Sequence, residues 1–227
     1  MKLINELEIQ DLALIYRDNL VLSDLHIGYE EALNKQGLLI PRFSFKDLEK
    51  TIKNLLKLNL KTIIINGDLK HEFGTISKQE WRHTRQVLKL LTANNRKVIL
   101  IKGNHDKILE PFAKEFNLEI KDYYKIDNIL IAHGDKIIKE KAGIIIIGHE
   151  HPAISFKERP DEKYKCFLKG KYKNSTLIVQ PSLTTVAEGS DITKEKLLSP
   201  YLKNTADFEV FIPKNGEVLC FGKLSNI

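Results

Sequence analysis

The sequence predicts an α/β layered fold with two sheets, and three observations predict it. Short apolar, β-branched runs alternate with stretches of helical periodicity through the first half. The second half is mostly short strands and turns, which calls for a second sheet. The residues suited to chemistry stand directly after the ends of predicted strands, where open α/β sheets carry their ligand sites. A length of 227 residues suits one domain, read as 1–227, with a sizeable core.

In chain order, 12–16 and 20–23 read as paired strands around the turn Arg17-Asp18-Asn19. Tyr29-Glu30-Glu31 begins a helix whose acidic first turn suits its dipole. Residues 45–58 carry Phe45, Leu48, Ile52, Leu55, Leu56 and Leu58 in helical rhythm, with Ser44 as N-cap and Asp47 in the capping-box position. The run 62–66 is a buried parallel strand by its β-branched content. A helix over 78–91 capped by Ser77, a strand at 97–101, a helix over 107–116 and strands at 129–132 and 142–147 follow. Strands at 163–168, 176–180, 208–212 and 218–221 complete the chain, and the turn-rich connection 180–191 is placed to flank a ligand pocket.

Composition narrows the class. Hydrophobic content of 42% with 29% charged residues excludes a disordered chain. The apolar run 143–148 is too short to span a bilayer, so no membrane association is expected. No basic segment followed by an apolar one marks the start as a secretory signal. Cys166 and Cys220 form no CxxC or HxC pattern and read as ordinary core thiols of a cytoplasmic protein. The net charge of +6 suits an anionic partner without specifying a reaction.

Five blocks carry the chemistry: Ser23-Asp24-Leu25-His26, Gly67-Asp68-Leu69-Lys70-His71, Gly103-Asn104-His105-Asp106, His133-Gly134-Asp135 and Gly148-His149-Glu150-His151. Six of the seven histidines lie inside them, whereas His83 sits alone in a helical stretch and reads as an ordinary side chain. Attack on a phosphate ester adds negative charge to a group already anionic. Two divalent cations roughly 3.5–4 Å apart can hold the phosphoryl oxygens and generate hydroxide at neutral pH. Carboxylate and amide oxygens with imidazole nitrogens suit Mn, Fe or Zn, and the absence of Cys ligands argues against a structural zinc site. One carboxylate has to bridge the cations, and Asp68, just past the strand 62–66, is placed for it.

In this order the blocks resemble the DxH, GDxx(D), GNH(D/E), H and GHxH signature of the calcineurin-like metallophosphoesterases, over residues 24–151. The resemblance implies an αββα sandwich of two mixed sheets flanked by helices. It implies that Asp24, His26 and His151 bind one metal, that Asn104, His133 and His149 bind the other, and that Asp68 bridges them. His105 would contact the phosphate and protonate the leaving oxygen, and Asp106 and Asp135 would orient ligand imidazoles or loop amides. Mn2+ is the favoured ion, with Fe, Zn, Ni or Co as alternatives. One position departs from the protein phosphatases of this superfamily: where they place an Asp that orients the catalytic His, this chain has His71, and Glu72 stands where an Arg often follows. This argues against protein phosphatase activity and makes His71 a second catalytic candidate, touching substrate phosphate directly.

The segments Asp24 to Glu30 and Gly67 to His71, with Gly148 to Pro152, Gln180-Pro181-Ser182 and Gly189, are similar to the prokaryotic DNA ligase- or helicase-associated metallophosphoesterases. That subgroup implies a phosphodiesterase acting on nucleotide-type substrates. A phosphomonoesterase, a nuclease, and a non-catalytic nucleic-acid or repair-complex accessory are the alternatives; the complete ligand set argues against the last. A homodimer is compatible with the sequence and not demanded by it. Lys163, Lys165, Lys169, Lys171 and Lys173 share one parity, which gives either a solvated strand face or a track for a phosphate backbone; the solvated face is the preferred reading. Arg42 and Arg159 are candidate phosphate clamps.

Overall fold

The computed structural model describes residues 1–38, 44–72 and 76–227. Its strands are β1 (Lys2–Ile4), β2 (Leu7–Gln10), β3 (Ala13–Tyr16), β4 (Asn19–Ser23), β5 (Thr62–Asn66), β6 (Lys97–Ile101), β7 (Glu119–Lys121), β8 (Tyr123–Ile126), β9 (Ile129–Ala132), β10 (Ile144–Ile147), β11 (Pro152–Phe156), β12 (Arg159–Lys165), β13 (Phe167–Tyr172), β14 (Ser175–Val179), β15 (Ser190–Asp191), β16 (Glu209–Lys214) and β17 (Glu217–Lys223). The helices are α1 (Tyr29–Lys35), α2 (Ser44–Leu56), α3 (Lys78–Thr92) and α4 (Glu110–Phe116).

The first sheet runs β1-β2-β3-β4-β5-β6-β7. Its first four strands are an antiparallel meander, and β4 through β7 are parallel, with Leu22 opposite Ile65 and Ile65 opposite Leu100. The second sheet runs β17-β16-β13-β14-β10-β9-β8, with β10 parallel to both β9 and β14 and the other pairs antiparallel. A small third sheet, β12-β11-β15, lies beside it.

Alternation along the central strands sets the layers. Ile64 and Ile99 of the first sheet meet Ile131, Ile146 and Ile178 of the second in one buried cluster, so the two sheets pack face to face. Ile63, Ile65 and Leu100 point the other way, onto Leu48, Ile52 and Leu55 of α2, Val87, Leu88 and Leu91 of α3 and Phe112 of α4. The far face of the second sheet packs Ile145, Ile147 and Leu177 against Ile154, Ile192, Tyr201, Leu202 and Leu224. The protein is a mixed α/β sandwich of two large sheets, as expected. No helix in the described residues is long and apolar enough to cross a membrane.

Several local expectations shift. Ser44 is the first residue of α2 rather than its cap, and its hydroxyl donates to the Glu30 carboxylate. The helix expected over 107–116 begins only at Glu110, because the amides of Asp106 and Lys107 close tight turns onto Gly103 (3.2 Å) and His105 (3.0 Å). The strand expected at 163–168 breaks at Cys166: β12 joins the third sheet and β13 the second. Cys220 is exposed, not a core thiol; only Cys166 is buried. Ser77 caps α3 as expected, accepting from the Glu80 amide at 3.0 Å. The solitary His83 stacks on Phe45 with ring centroids 3.7 Å apart.

Candidate metal centre

Each block leaves the end of a strand through a sharp change of backbone direction. Asp24, His26, Asp68, His149 and His151 all have positive φ, between 44° and 63°. Non-glycine residues adopt this left-handed region at a cost, and such residues cluster where side chains must be aimed at one point. Here the turns after β4, β5 and β10 aim five ionisable groups into one cleft. Two glycines of the blocks are demanded by close approach: a Cβ on Gly148 would run into Ser23 Oγ and Asp24 Oδ2, and one on Gly103 into the Asp68 carboxylate.

The result is one connected cluster. Asp24, His26 and His151 each offer a ligand atom within 4.8 Å of the others, and so do Asp68, His133 and His149. His26 Nε2 lies 3.2 Å from His151 Nε2, and His151 Nε2 lies 3.3 Å from Asp24 Oδ1. Asn104 Oδ1 is 2.9 Å from His133 Nε2, bringing the amide to the second group. Asp68 stands between the two groups, its Oδ2 3.7 Å from His26 Nε2 and 3.4 Å from His133 Nε2. His26, His71 and His105 form a third trio alongside.

Burial makes this arrangement costly without a cation. Asp24 is 0% exposed and Asp68 2% exposed, and Asp24 Oδ1 has no hydrogen-bond donor. Burial by itself would raise the Asp24 carboxyl, but facing His151, His133 and His26 outweighs it and holds the group below its ordinary range. Burial pushes the other way on the imidazoles: with the charge of His151 it takes His26 down to about 3, and with that of His105 it takes His71 down to about 4. His133 overcomes its burial through Asp68 and Asp24 and rises to about 9. A buried carboxylate oxygen without a hydrogen-bond partner, set among imidazole nitrogens, is the donor set of a divalent cation site of mixed N and O type, and the residues present fit that group. His133 directs Nδ1 at the Asn66 carbonyl, 3.4 Å away, which leaves Nε2 facing the cluster.

The two remaining histidines differ in their contacts. His105 Nδ1 bonds to the carbonyl oxygen of His71 at 2.5 Å, its amide donates to Asp68 Oδ1 at 2.9 Å, and its Nε2 is 3.9 Å from Asp68 Oδ2. The His71 ring stacks on Tyr29 with centroids 4.2 Å apart and turns Nδ1 toward His26 Nδ1 at 3.4 Å. Asp106 accepts from the amides of Gly103 (3.1 Å) and Leu69 (3.4 Å), tying two blocks together; burial and the neighbouring Asp68 raise its carboxyl to about 6. Asp135 lies half-buried next to His133, where its charge adds to the rise of that imidazole.

The structure therefore brings together Asp24, His26, Asp68, His71, Asn104, His105, His133, His149 and His151. It does not bring Arg159, which is exposed on β12 and paired with Glu162 at 3.2 Å. Arg42 lies outside the described residues. The lysine track is not one face: Lys163 pairs with Glu195, Lys169 pairs with Glu209, and Lys165 turns inward to the carbonyls of Ser182 and Thr184. Of the connection 180–191, Thr184 and Val186 line a cleft with His26. Sequence reading missed Lys70 and Glu80, both 0% exposed, which bind the backbone of the blocks. Lys70 stands inside a motif and could have been suspected; nothing local marks Glu80.

Residues 20–189 match the calcineurin-like phosphoesterase family. No curated protein matches the chain. Among solved structures, the nuclease MPE of Pseudomonas putida is 18% identical, with a TM-score of 0.68, over 93% of this chain and 92% of that one. The phosphoesterase Yfce of E. coli is 13% identical over 91% and 97% of the two chains, with a TM-score of 0.43. At 18% identity the first likeness is one of fold.

Proposed function

Since the chain belongs to the calcineurin-like phosphoesterase family and is a metal-dependent hydrolase of phosphate esters, we propose that it cleaves phosphodiesters of nucleotide type at a dinuclear centre. The observation that carries this reading is Asp68, whose Oδ2 faces a histidine of each ligand group at 3.7 and 3.4 Å. Asp24, His26 and His151 would hold one cation, Asn104, His133 and His149 the other, and Asp68 both, with Mn2+ the favoured ion. Two such cations supply positive charge to the phosphoryl oxygens and lower the pKa of water.

The chain's own groups do the rest. His105, held at Nδ1 by the His71 carbonyl, is left with Nε2 as the ring atom that holds a proton and passes it to the leaving oxygen. The His71 imidazole backs His26 and lines the phosphate position. The Lys70 amino group is engaged with backbone carbonyls. The likeness of fold to the Pseudomonas nuclease supports a nucleic-acid strand as the large form of the same substrate class. The same reading takes the protein to be cytoplasmic.

The test is a metal screen on chelator-stripped protein with bis-p-nitrophenyl phosphate beside p-nitrophenyl phosphate. Diester turnover restored by Mn2+ above monoester turnover is expected. No turnover of either with Mn, Ni, Co, Fe or Zn overturns the enzyme reading, and monoester turnover far above diester reverses the substrate class.

A further inference from the structure

Lys70 is completely buried. A lysine is a donor without acceptor capacity, and burying one costs free energy unless its N–H groups find partners. Its Nζ donates to the carbonyl oxygens of Glu72 and of His105, the second at 2.8 Å. Glu80, also 0% exposed, accepts from the amides of His71 and Glu72, both at 3.0 Å. The other Glu80 oxygen is buried without a hydrogen-bond partner. Glu80 reaches this place because Gly28, with φ +96°, has no Cβ; one there would stand 2.8 Å from Glu80 Cγ.

Two of these bonds close a ring with the Lys70–His71 peptide: Lys70 Nζ holds the His105 carbonyl, and His105 Nδ1 bonds to the His71 carbonyl. Glu80 braces that ring at the His71 amide. A side chain needed only to fill space at this point would be apolar, since leucine or methionine would occupy it without desolvating an amino group. What distinguishes lysine is the pair of carbonyls its donors hold, and one belongs to His105 itself. We propose that Lys70, seconded by Glu80, is a positioning residue: it fixes His105 and the His71–Glu72 backbone in mutual register, so that His105 Nε2 meets the leaving oxygen. Its amino group is engaged with backbone carbonyls, not with the metal-binding side chains. This inference rests on the reading of His105 as the proton donor.

Leaving-group dependence tests it. In bis-p-nitrophenyl phosphate the leaving p-nitrophenolate departs with little help from a proton, whereas in diphenyl phosphate the poorer leaving phenolate needs one. Lys70→Met is expected to lose about 10- to 100-fold more turnover on diphenyl phosphate than on the nitrophenyl diester. Metal content should stay at the wild-type value, and Lys70→Arg, which keeps the donors, should recover most of the difference. Equal losses on both substrates, or loss of metal from Lys70→Met, overturn the proposal and leave Lys70 a structural residue. Should Lys70→Met fail to fold, Glu80→Leu, which removes the acceptor of both amides, is read in the same way. A wild-type chain inactive on both diesters overturns the functional reading itself and this inference with it; an active wild type with an unchanged leaving-group profile in the variants overturns this inference alone.

Discussion

The carbonyl oxygen of His71 accepts a hydrogen bond from Nδ1 of His105 at 2.5 Å. A backbone atom thus does here what a carboxylate side chain does in the protein-phosphatase pattern. Loss of the expected Asp at position 71 does not leave the second imidazole unoriented. The side chain at 71 serves elsewhere, stacking on Tyr29 and backing His26.

The two histidines should therefore separate by mutation. His105→Ala is expected to lower turnover about 10²- to 10⁴-fold with metal content unchanged. His71→Ala keeps the carbonyl and so the orientation of His105, but removes the group facing His26 Nδ1, and cation affinity should fall about 10- to 100-fold. Metal titration beside steady-state kinetics distinguishes them, and metal loss from His105→Ala would show that His105 belongs to the ligand set.

Asp68 faces both groups, so its loss cannot be confined to one. Asp68→Asn is expected to lose both metals and activity together, by elemental analysis and by diester turnover. Retention of one full equivalent of metal would place Asp68 on a single cation instead of between two.

Removing the cations should also destabilise the fold. Without them Asp24 and Asp68 remain buried among imidazoles, and a ligand at 100 times its Kd contributes about 2.7 kcal/mol. For a chain of this size, adding EDTA is expected to lower Tm by about 5–10 °C in calorimetry. An unchanged Tm would mean that the cluster holds no cation in the native protein.

Lys165 supplies a pH dependence whose sign is defined. Burial lowers its amino group to about 8 in the folded protein, from an ordinary 10.5. Between these values the unfolded chain binds the extra proton, so the contribution of this group to stability rises with pH over that window. Lys165→Met should abolish that part of the slope, measured by denaturant unfolding of the metal-free protein between pH 8 and about 10. An identical slope in wild type and variant would mean that Lys165 stays solvated.

Much of this protein was legible without coordinates, for a physical reason. The strands 62–66 and 97–101 announce themselves because a strand buried on both faces must be apolar throughout, and the position of the five blocks just past strand ends can be read along the chain. Asp24, His26, Asp68, Asn104, His105, His133, His149 and His151 could be singled out because their chemistry is written in residue type, and their order along the chain needed no contact map. The cap of α3 by Ser77 is equally local.

Only the tertiary structure decided which groups meet. The lysines at 163, 165, 169, 171 and 173 share a parity in sequence, yet β12 and β13 belong to different sheets, and Lys165 points at Ser182 and Thr184. Extended chain alternates whatever it pairs with, so periodicity cannot report the change of partner. The His71–His105 contact is made through a carbonyl that every residue carries, and Lys70 and Glu80 act through backbone amides and carbonyls in the same way. Residue type encodes what a side chain can bind. Which of its many possible backbone partners it reaches depends on how segments distant in sequence pack, and that is settled only when the sheets close.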